Sequence, residues 1–243
     1  IFDDAGKIAH FIASKEDISE RKLMEKALQE ANRKLNLLSS ITRHDINNQM
    51  TILEGNLALL KKGQPQLISD DHLGRVEMAA GKISTTILFT KEYQDIGVKA
   101  PIWVSPGRQT KEAFAMMHLA EVKLEDDTKG IEVLADPLVE KIPYNLIDNS
   151  MRHGEHVTRI KMSAEQRGDA MLIAYEDNGA GISAEDKKRL FEKGFGKNTG
   201  FGLFLCREIM AITGITITET GKAGEGVCFE MLVPPGAWRL PPR

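Results

Sequence analysis

The stretch "RHDINNQ" places His44, Asp45, Asn47 and Asn48 where a helix is expected to carry apolar residues. A neutral imidazole near pH 7 is a competent nucleophile, with an unperturbed pKa of about 6.5. Asp45 can hold the hydrogen of the second ring nitrogen and accept a proton as His44 reacts. A lone histidine in a helix is more often a surface or satisfied core residue, so the rest of the chain has to decide between the two readings.

Four stretches farther along carry a second set of capable residues. In "NLIDNS", Asn145, Asp148 and Asn149 share one helix face, with Arg152 and His153 one turn on. This is either a solvent face or a place where an amide oxygen meets hydrated Mg²⁺, which prefers hard oxygen ligands and nucleotide phosphates. In "EDNGAGIS", Asp177-Asn178-Gly179 is either an ordinary turn or a strand end where Asp177 accepts from an adenine amino group. On that second reading, Gly179 and Gly181 let backbone approach the purine without a Cβ in the way. "LFEKGFG" offers two aromatics, with Phe191 as an anchor, and "GKNTGFGLFLCREI" runs Gly196, Gly200 and Gly202 into a helix N-terminus. Exposed N–H groups there favour an anionic phosphate, to which Lys197 adds a charge.

These residues need elements to hold them. From a cap at Asp17 or Ser19 the chain reads as helix to about Lys62, with no proline and one internal glycine, Gly55. Alternating four- and three-residue spacing picks out Met24, Leu28, Ala31, Leu35, Leu38, Thr42, Asp45, Gln49, Ile52, Asn56 and Leu59 as a heptad seam. Ile41, Ile46, Leu53 and Leu60 widen the apolar stripe beyond what a two-stranded coil buries. Gly63 and Pro65 make a turn, and Leu73, Val76, Ala80, Ile83, Ile87 and Thr90 continue the spacing on a second helix. One hairpin supplies two helices, so a symmetric homodimer is expected to complete a four-helix bundle. Thr42 and Asp45 on the seam place His44 on the outer flank, within reach of solvent.

From about residue 99 the pattern becomes mixed α and β. Helices are expected over 108–120, 137–153 and 201–213, and strands at "AEVKLED", "IEVLAD", "VTRIKMSAEQ", "AMLIAYED", "ITITET" and "GVCFEMLVP". The tail "GAWRLPPR" is expected to be loose. The fold class is therefore α+β and multi-domain: a long helical hairpin, then an α/β sandwich large enough for its own core.

The 243 residues are 42% apolar and 28% charged, with 32 Lys and Arg against 35 Asp and Glu. That balance offers no basic field for nucleic acid, and no apolar run approaches the roughly 20 residues a membrane helix needs. Cys206 and Cys228 lack zinc or redox spacing and read as buried thiols in a reducing compartment, so a cytoplasmic location is expected. The chain opens "IFDDAGKIAHF", without an initiator Met or signal peptide. A fragment of a longer protein is expected, its membrane association, if any, lying in an absent upstream region.

The order of the asparagine helix, "DNGAGI", the Phe-containing lid and "GFGL" before a helix resembles the ATP-binding domain of sensor histidine kinases, of the gyrase-type nucleotide-binding fold. "RHDINNQ" resembles the phosphoacceptor motif of the same family, and "EDISERKLMEKALQEANRKL" its junction from a PAS sensor domain. The resemblance implies the end of a PAS domain at 1–18, a signalling helix and phosphotransfer hairpin at 19–98, and an ATP-binding catalytic domain at 99–243. It implies His44 as phosphoacceptor with Asp45 as its proton partner, and Asn48 as the residue orienting water against a partner's aspartyl phosphate. It further implies Asn149 as Mg²⁺ ligand helped by Asn145, and Asp177 as adenine reader. Arg152, His153, Gly179, Gly181, Ile182, Phe191, Lys197, Thr199, Gly200, Gly202 and Leu203 complete the implied ATP contacts. The implied cofactors are ATP and Mg²⁺, and the implied partners are a response regulator receiver domain and a second copy of the chain.

Two departures from the family pattern stand out. Gln49 occupies the place of a common proline five residues after the histidine, so a straighter helix is expected. The short stretch from Phe191 to Gly202 predicts a tight lid. Beside a kinase, the residues leave open a phosphatase-biased protein acting on its response regulator, and a non-catalytic dimeric scaffold.

Overall fold

The computed structural model describes residues 32, 38–39, 45–61, 70–196 and 200–241. His44, Lys197, Thr199, the expected PAS end and Met24, Leu28, Ala31, Leu35 and Thr42 of the expected seam lie outside the described residues.

Asp45 and Ile46 form a π turn that runs into α1 (Asn47–Lys61), which packs on α2 (Asp70–Asp95). The face of α2 turned inward carries Ala79, Thr86 and Tyr93, all buried, with Val76, Ile83 and Thr90 half-buried beside them. Across the hairpin, His72 Nδ1 lies 2.9 Å from Asn56 Oδ1, so a polar pair occupies one seam level. The seam expected from the sequence divides in two. Of its members Gln49, Asn56, Val76 and Ile83 are half-buried, as is Leu53 beside the seam, whereas Ile52, Leu59, Leu73, Ala80 and Ile87 remain exposed. The reason is geometric: a stripe wider than one helix contact presents only part of itself to a single neighbour.

The C-terminal lobe contains β1 (Ile102–Val104), α3 (Pro106–Met116), β2 (Lys123–Asp127), β3 (Glu132–Ala135), α4 (Lys141–His153), β4 (Arg159–Arg167) and β5 (Ala170–Asp177). The short α5 (Ala184–Lys187), α6 (Gly202–Ala211), β6 (Thr216–Glu219), β7 (Cys228–Val233) and β8 (Trp238–Arg239) complete it. Five strands form a sheet in the order β2-β4-β5-β7-β6, and β1-β3-β8 form a second, smaller sheet. The β2–β4 pair is parallel and the rest are antiparallel. Alternation along β7 sends Phe229, Met231 and Val233 inward and leaves Leu232 outside. These residues, with Ile160, Met162, Ile173 and Tyr175, share one core with Ala113 of α3, Ile142, Leu146 and Ile147 of α4, and Phe204, Leu205 and Ile209 of α6. Burying one face of a sheet under helices is what makes this two-layer arrangement stable.

The tail is not loose, contrary to the sequence expectation. Trp238 and Arg239 pair with β3, and Leu134 N–H donates to the Ala237 carbonyl at 2.8 Å. Trp238 Nε1 donates to the Asp169 carbonyl at 2.9 Å. The Arg239 guanidinium stacks over Trp103, 4.2 Å from the ring centre, while its Nε bonds Glu132. A two-residue strand has no periodicity to read; its partners lie about a hundred residues away. Strand β1 and helix α5 escaped the sequence reading for the same reason of shortness.

The hairpin also touches the lobe. Phe89 stacks on Phe201 with ring centres 4.2 Å apart, Tyr93 stacks on Phe204, and Lys141 Nζ lies 2.7 Å from Glu92. No helix among the described residues is long and apolar enough to cross a membrane.

Because Trp238 anchors the second sheet, Trp238→Ala is expected to lower unfolding free energy by about 2 kcal/mol, read from the urea midpoint at unchanged slope.

Candidate nucleotide site

Helix α4 is built from a strong start signal. Asp136 caps a 3-10 turn over Pro137–Glu140, accepting from Leu138 N–H and Gly97 N–H, each at 2.8 Å. The helix then buries Ile142, Pro143, Leu146, Ile147 and Ser150, and stops at Gly154. The opposite face carries Asn145, Asp148, Asn149 and Arg152, as the spacing predicted. Arg152 Nε donates to Asp148 at 2.7 Å one turn back; that hydrogen bond and charge raise the Arg152 pKa further. His153 is exposed at the helix end.

Asp177 ends β5 and is buried, with 7% of its surface exposed. Its Oδ1 accepts from Gly179 N–H at 2.9 Å and from Val227 N–H at 3.1 Å; its Oδ2 accepts from Ser150 Oγ at 2.5 Å. A buried carboxylate is tolerable only with such partners. Next to it, the Asn178 side chain brackets the entry to β4, accepting from Thr158 and Arg159 N–H and donating to Thr158 Oγ1. Asn178 therefore shapes the loop.

The glycines of this region also answer to neighbouring protein. A Cβ on Gly179 would sit 2.6 Å from the Gly154 carbonyl oxygen, and one on Gly181, at φ +70°, would meet the Lys222 and Gly226 carbonyls. Gly200, at φ +64°, packs on Gly194 and Phe195, and a Cβ on Gly202 would lie 3.0 Å from Asn145 Oδ1. Gly179, Gly181 and Gly200 are required by neighbouring backbone, and Gly202 sits tightly on the Asn145 side chain. Gly202 thus seats the first turn of α6 against Asn145. That helix has no side-chain cap among the described residues, Phe201 standing at the N-cap position.

Ser183 caps α5 by accepting from Asp186 N–H at 3.1 Å. Lys187 Nζ lies 2.7 Å from Glu219 Oε2, whose side chain is 1% exposed, and also donates to the Gly221 carbonyl. Glu219 Oε1 accepts from Gly221 and Cys228 N–H. This pair fastens the root of the lid to the β6–β7 turn. That turn in turn lies across the Asp177 loop, with Gly224 N–H donating to the Ala180 carbonyl at 2.6 Å. Beyond α5, Phe191 meets Phe229 edge-on at 6.3 Å, and Ile182 and Leu203 also pack on the core. The structure gives these three side chains packing partners within the protein. Gly194 N–H donates to the Gly200 carbonyl at 3.2 Å; residues 197–199 of the loop expected to be a tight lid lie outside the described residues.

The structure thus brings Asn145 against the α6 N-terminus and the turn after Asn149 against Asp177, on successive stretches of one helix. Sequence reasoning missed Ser150, Lys187 and Glu219. The signal for Ser150 was a hydroxyl on the buried face of α4, in register with Leu146 and Ile147. For the ion pair there was none, because its members meet only in three dimensions. Burial pushes the Cys206 thiol up to about 12, with Asn145 drawing it partly back. Cys228 is shifted upward as well, chiefly by burial.

A layered mixed sheet, an asparagine helix and a glycine-seated helix N-terminus make up this lobe. Residues 135–237 match the family model of histidine kinase-, DNA gyrase B-, and HSP90-like ATPases. The alginate biosynthesis sensor protein KinB of Pseudomonas aeruginosa is 39% identical over 104 residues, covering 40% of this chain and 17% of that protein. A probable C4-dicarboxylate sensor kinase of Bacillus subtilis is 39% identical over 98 residues, 37% of this chain and 18% of that protein. The chain therefore spans less than a fifth of the length of these two relatives. The crystal structure of histidine kinase ThkA in complex with response regulator protein TrrA shares the fold over 91% of this chain and 69% of that one, with a TM-score of 0.65 at 18% identity. The C-terminal lobe is thus similar to the ATP-binding region of sensor kinases, and the fold is shared with a histidine kinase.

Lys187→Met leaves Glu219 buried without its counter-charge and is expected to cost about 3 kcal/mol of stability in urea unfolding, with Lys187→Arg retaining most of it. Cys206 is expected to resist maleimide in the native protein at pH 8 and to react once urea exposes it, as mass spectrometry would show.

Proposed function

We propose that this chain is the catalytic part of an ATP-dependent protein-histidine kinase that moves the γ-phosphoryl group to His44 and then to an aspartate of a response regulator. The observation that supports this most directly is that one helix, α4, meets a buried, hydrogen-bonded Asp177 through Ser150 and the α6 N-terminus at Asn145, with Asn149 on its open face. That arrangement suits a ligand with an amino-bearing base at one end and phosphates at the other.

Asp177 accepts from the base and the α6 N-terminus faces the phosphates. Asn145 and Asn149 supply amide oxygens, the hard donors Mg²⁺ prefers. Among the described residues no group of three or more His, Cys, Asp or Glu is placed to hold a metal, which fits an ion held largely by nucleotide phosphates. When bound with nucleotide, Mg²⁺ supplies neutralisation of phosphate charge. Phosphoryl transfer then depends on alignment of the γ-phosphate with the His44 ring, Asp45 taking up the ring proton. Asp45 and Ile46 sit in a π turn, an irregularity that helices often place at functional positions.

A homodimer fits the hairpin. Ile52, Leu59, Leu73 and Ile87 stay exposed although the sequence spaces them for a seam, and a second hairpin would cover them. The fold shared with a histidine kinase crystallised with a response regulator supports a receiver domain as partner.

Incubation with γ-labelled ATP and Mg²⁺ is expected to leave label in an acid-labile, base-stable linkage that His44→Gln abolishes and Asn149→Ala reduces at least a hundredfold. Label persisting in His44→Gln refutes the assignment. Removal of phosphate from a phosphorylated receiver without phosphohistidine points to the phosphatase-biased alternative. A mixed dimer of the two variants shows whether each subunit serves its own histidine or its neighbour's.

A further inference from the structure

We propose that Ser150 and Tyr175 form a two-hydroxyl chain that fixes the hydrogen-bond polarity and orientation of Asp177 and so sets which purine the site accepts. The inference rests on the reading of Asp177 as the base-reading residue and deepens it.

The three groups lie within one buried cluster: Ser150 is 4% exposed, Tyr175 0% and Asp177 7%. Ser150 Oγ stands 2.5 Å from Asp177 Oδ2 and 2.9 Å from the Tyr175 hydroxyl. The direction of each bond follows from counting hydrogens. An ionised carboxylate only accepts, so Ser150 must give its single hydrogen to Asp177. Ser150 can then only accept from Tyr175, which must donate. Burial raises the Tyr175 pKa far above its ordinary value, and Asp177 nearby adds to the rise, so the phenol keeps the hydrogen this chain requires.

The carboxylate is therefore held by donors from three segments: its own turn through Gly179, the β6–β7 loop through Val227, and α4 through Ser150. Among the described residues, Ser150 alone holds Oδ2. With that oxygen oriented and every neighbour a donor, what remains to a ligand is a lone pair. A 6-amino purine presents an N–H to it; a 6-oxo purine presents oxygen against oxygen, leaving both unsatisfied. Without Ser150, Oδ2 is free to swing about Oδ1 and the penalty against the 6-oxo base softens. Ser150 and Tyr175 are positioning residues in this scheme, because neither has to touch the base. Their placement follows from elementary periodicity: Tyr175 and Asp177 share a strand face, and Ser150 sits on the helix face that covers it.

The test compares dissociation constants of ATP and inosine triphosphate, which differ at position 6 of the base, for the whole chain and its variants. Ser150→Ala is expected to weaken ATP about tenfold and to shrink the ATP preference over inosine triphosphate by a similar factor, with Tyr175→Phe giving about a threefold shrinkage. Ser150→Thr, which keeps the hydroxyl, restores both. Should Ser150→Ala fail to fold by circular dichroism, Tyr175→Phe carries the same comparison, since it removes one oxygen and leaves the ring in place. A folded variant that binds ATP with an unaltered preference overturns the chain and leaves the site reading standing. Wild type that binds no adenine nucleotide overturns both.

Discussion

A carboxylate at the end of a central strand, taken out of water, is the constraint from which much of the lobe follows. Asp177 has to be surrounded by donors, and no single segment can provide them all. The β6–β7 loop must therefore lie close enough for Val227 to reach it. That closeness leaves no room for side chains where Gly226 meets the Asp177 backbone, or where Gly181 meets the loop carbonyls. The Lys187–Glu219 pair, its carboxylate buried, then ties the same loop to α5. One electrostatic requirement thus propagates through loop position, glycine choice and the anchoring of a neighbouring element.

A second set of contacts joins the lobe to the helical hairpin. Phe201, the residue between the lid and α6, stacks on Phe89 of α2, and Tyr93 reaches Glu208 through its hydroxyl as well as stacking on Phe204. The far root of the lid is thereby packed on the hairpin, while its near root is held by an ion pair within the lobe. Such aromatic contacts contribute through buried area and ring geometry together. In consequence the glycine-seated N-terminus of α6, the expected phosphate end of the site, is positioned by α4 on one side and by α2 on the other.

Much of this was legible in the residue order where periodicity is long enough to register. "AMLIAYED" alternates and is β5; the helix expected over 201–213 is α6, and the amphipathic stretch after Pro137 is α4. Asp177 and the asparagines were identifiable as a chemical set because their types are unusual beside Leu146, Ile147 and the apolar strand. The Trp238–Arg239 strand, by contrast, carries no signal of its own. Its order comes from Asp169, Glu132 and Trp103, each far away in the chain. The hairpin seam was partly legible: spacing located the apolar positions, but could not divide them between the packed face and the outer one.

By itself the sequence determined which residues are chemically able to act and which helices and strands carry them, because residue type and short-range spacing are local properties. Only the tertiary structure decided what surrounds each one. It seated the glycines against neighbouring protein, gave Asp177 the Ser150 hydroxyl as a partner with the Tyr175 hydroxyl behind it, and brought Lys187 to Glu219. Those relations depend on distances between segments separated by dozens of residues, and no one-dimensional period encodes them.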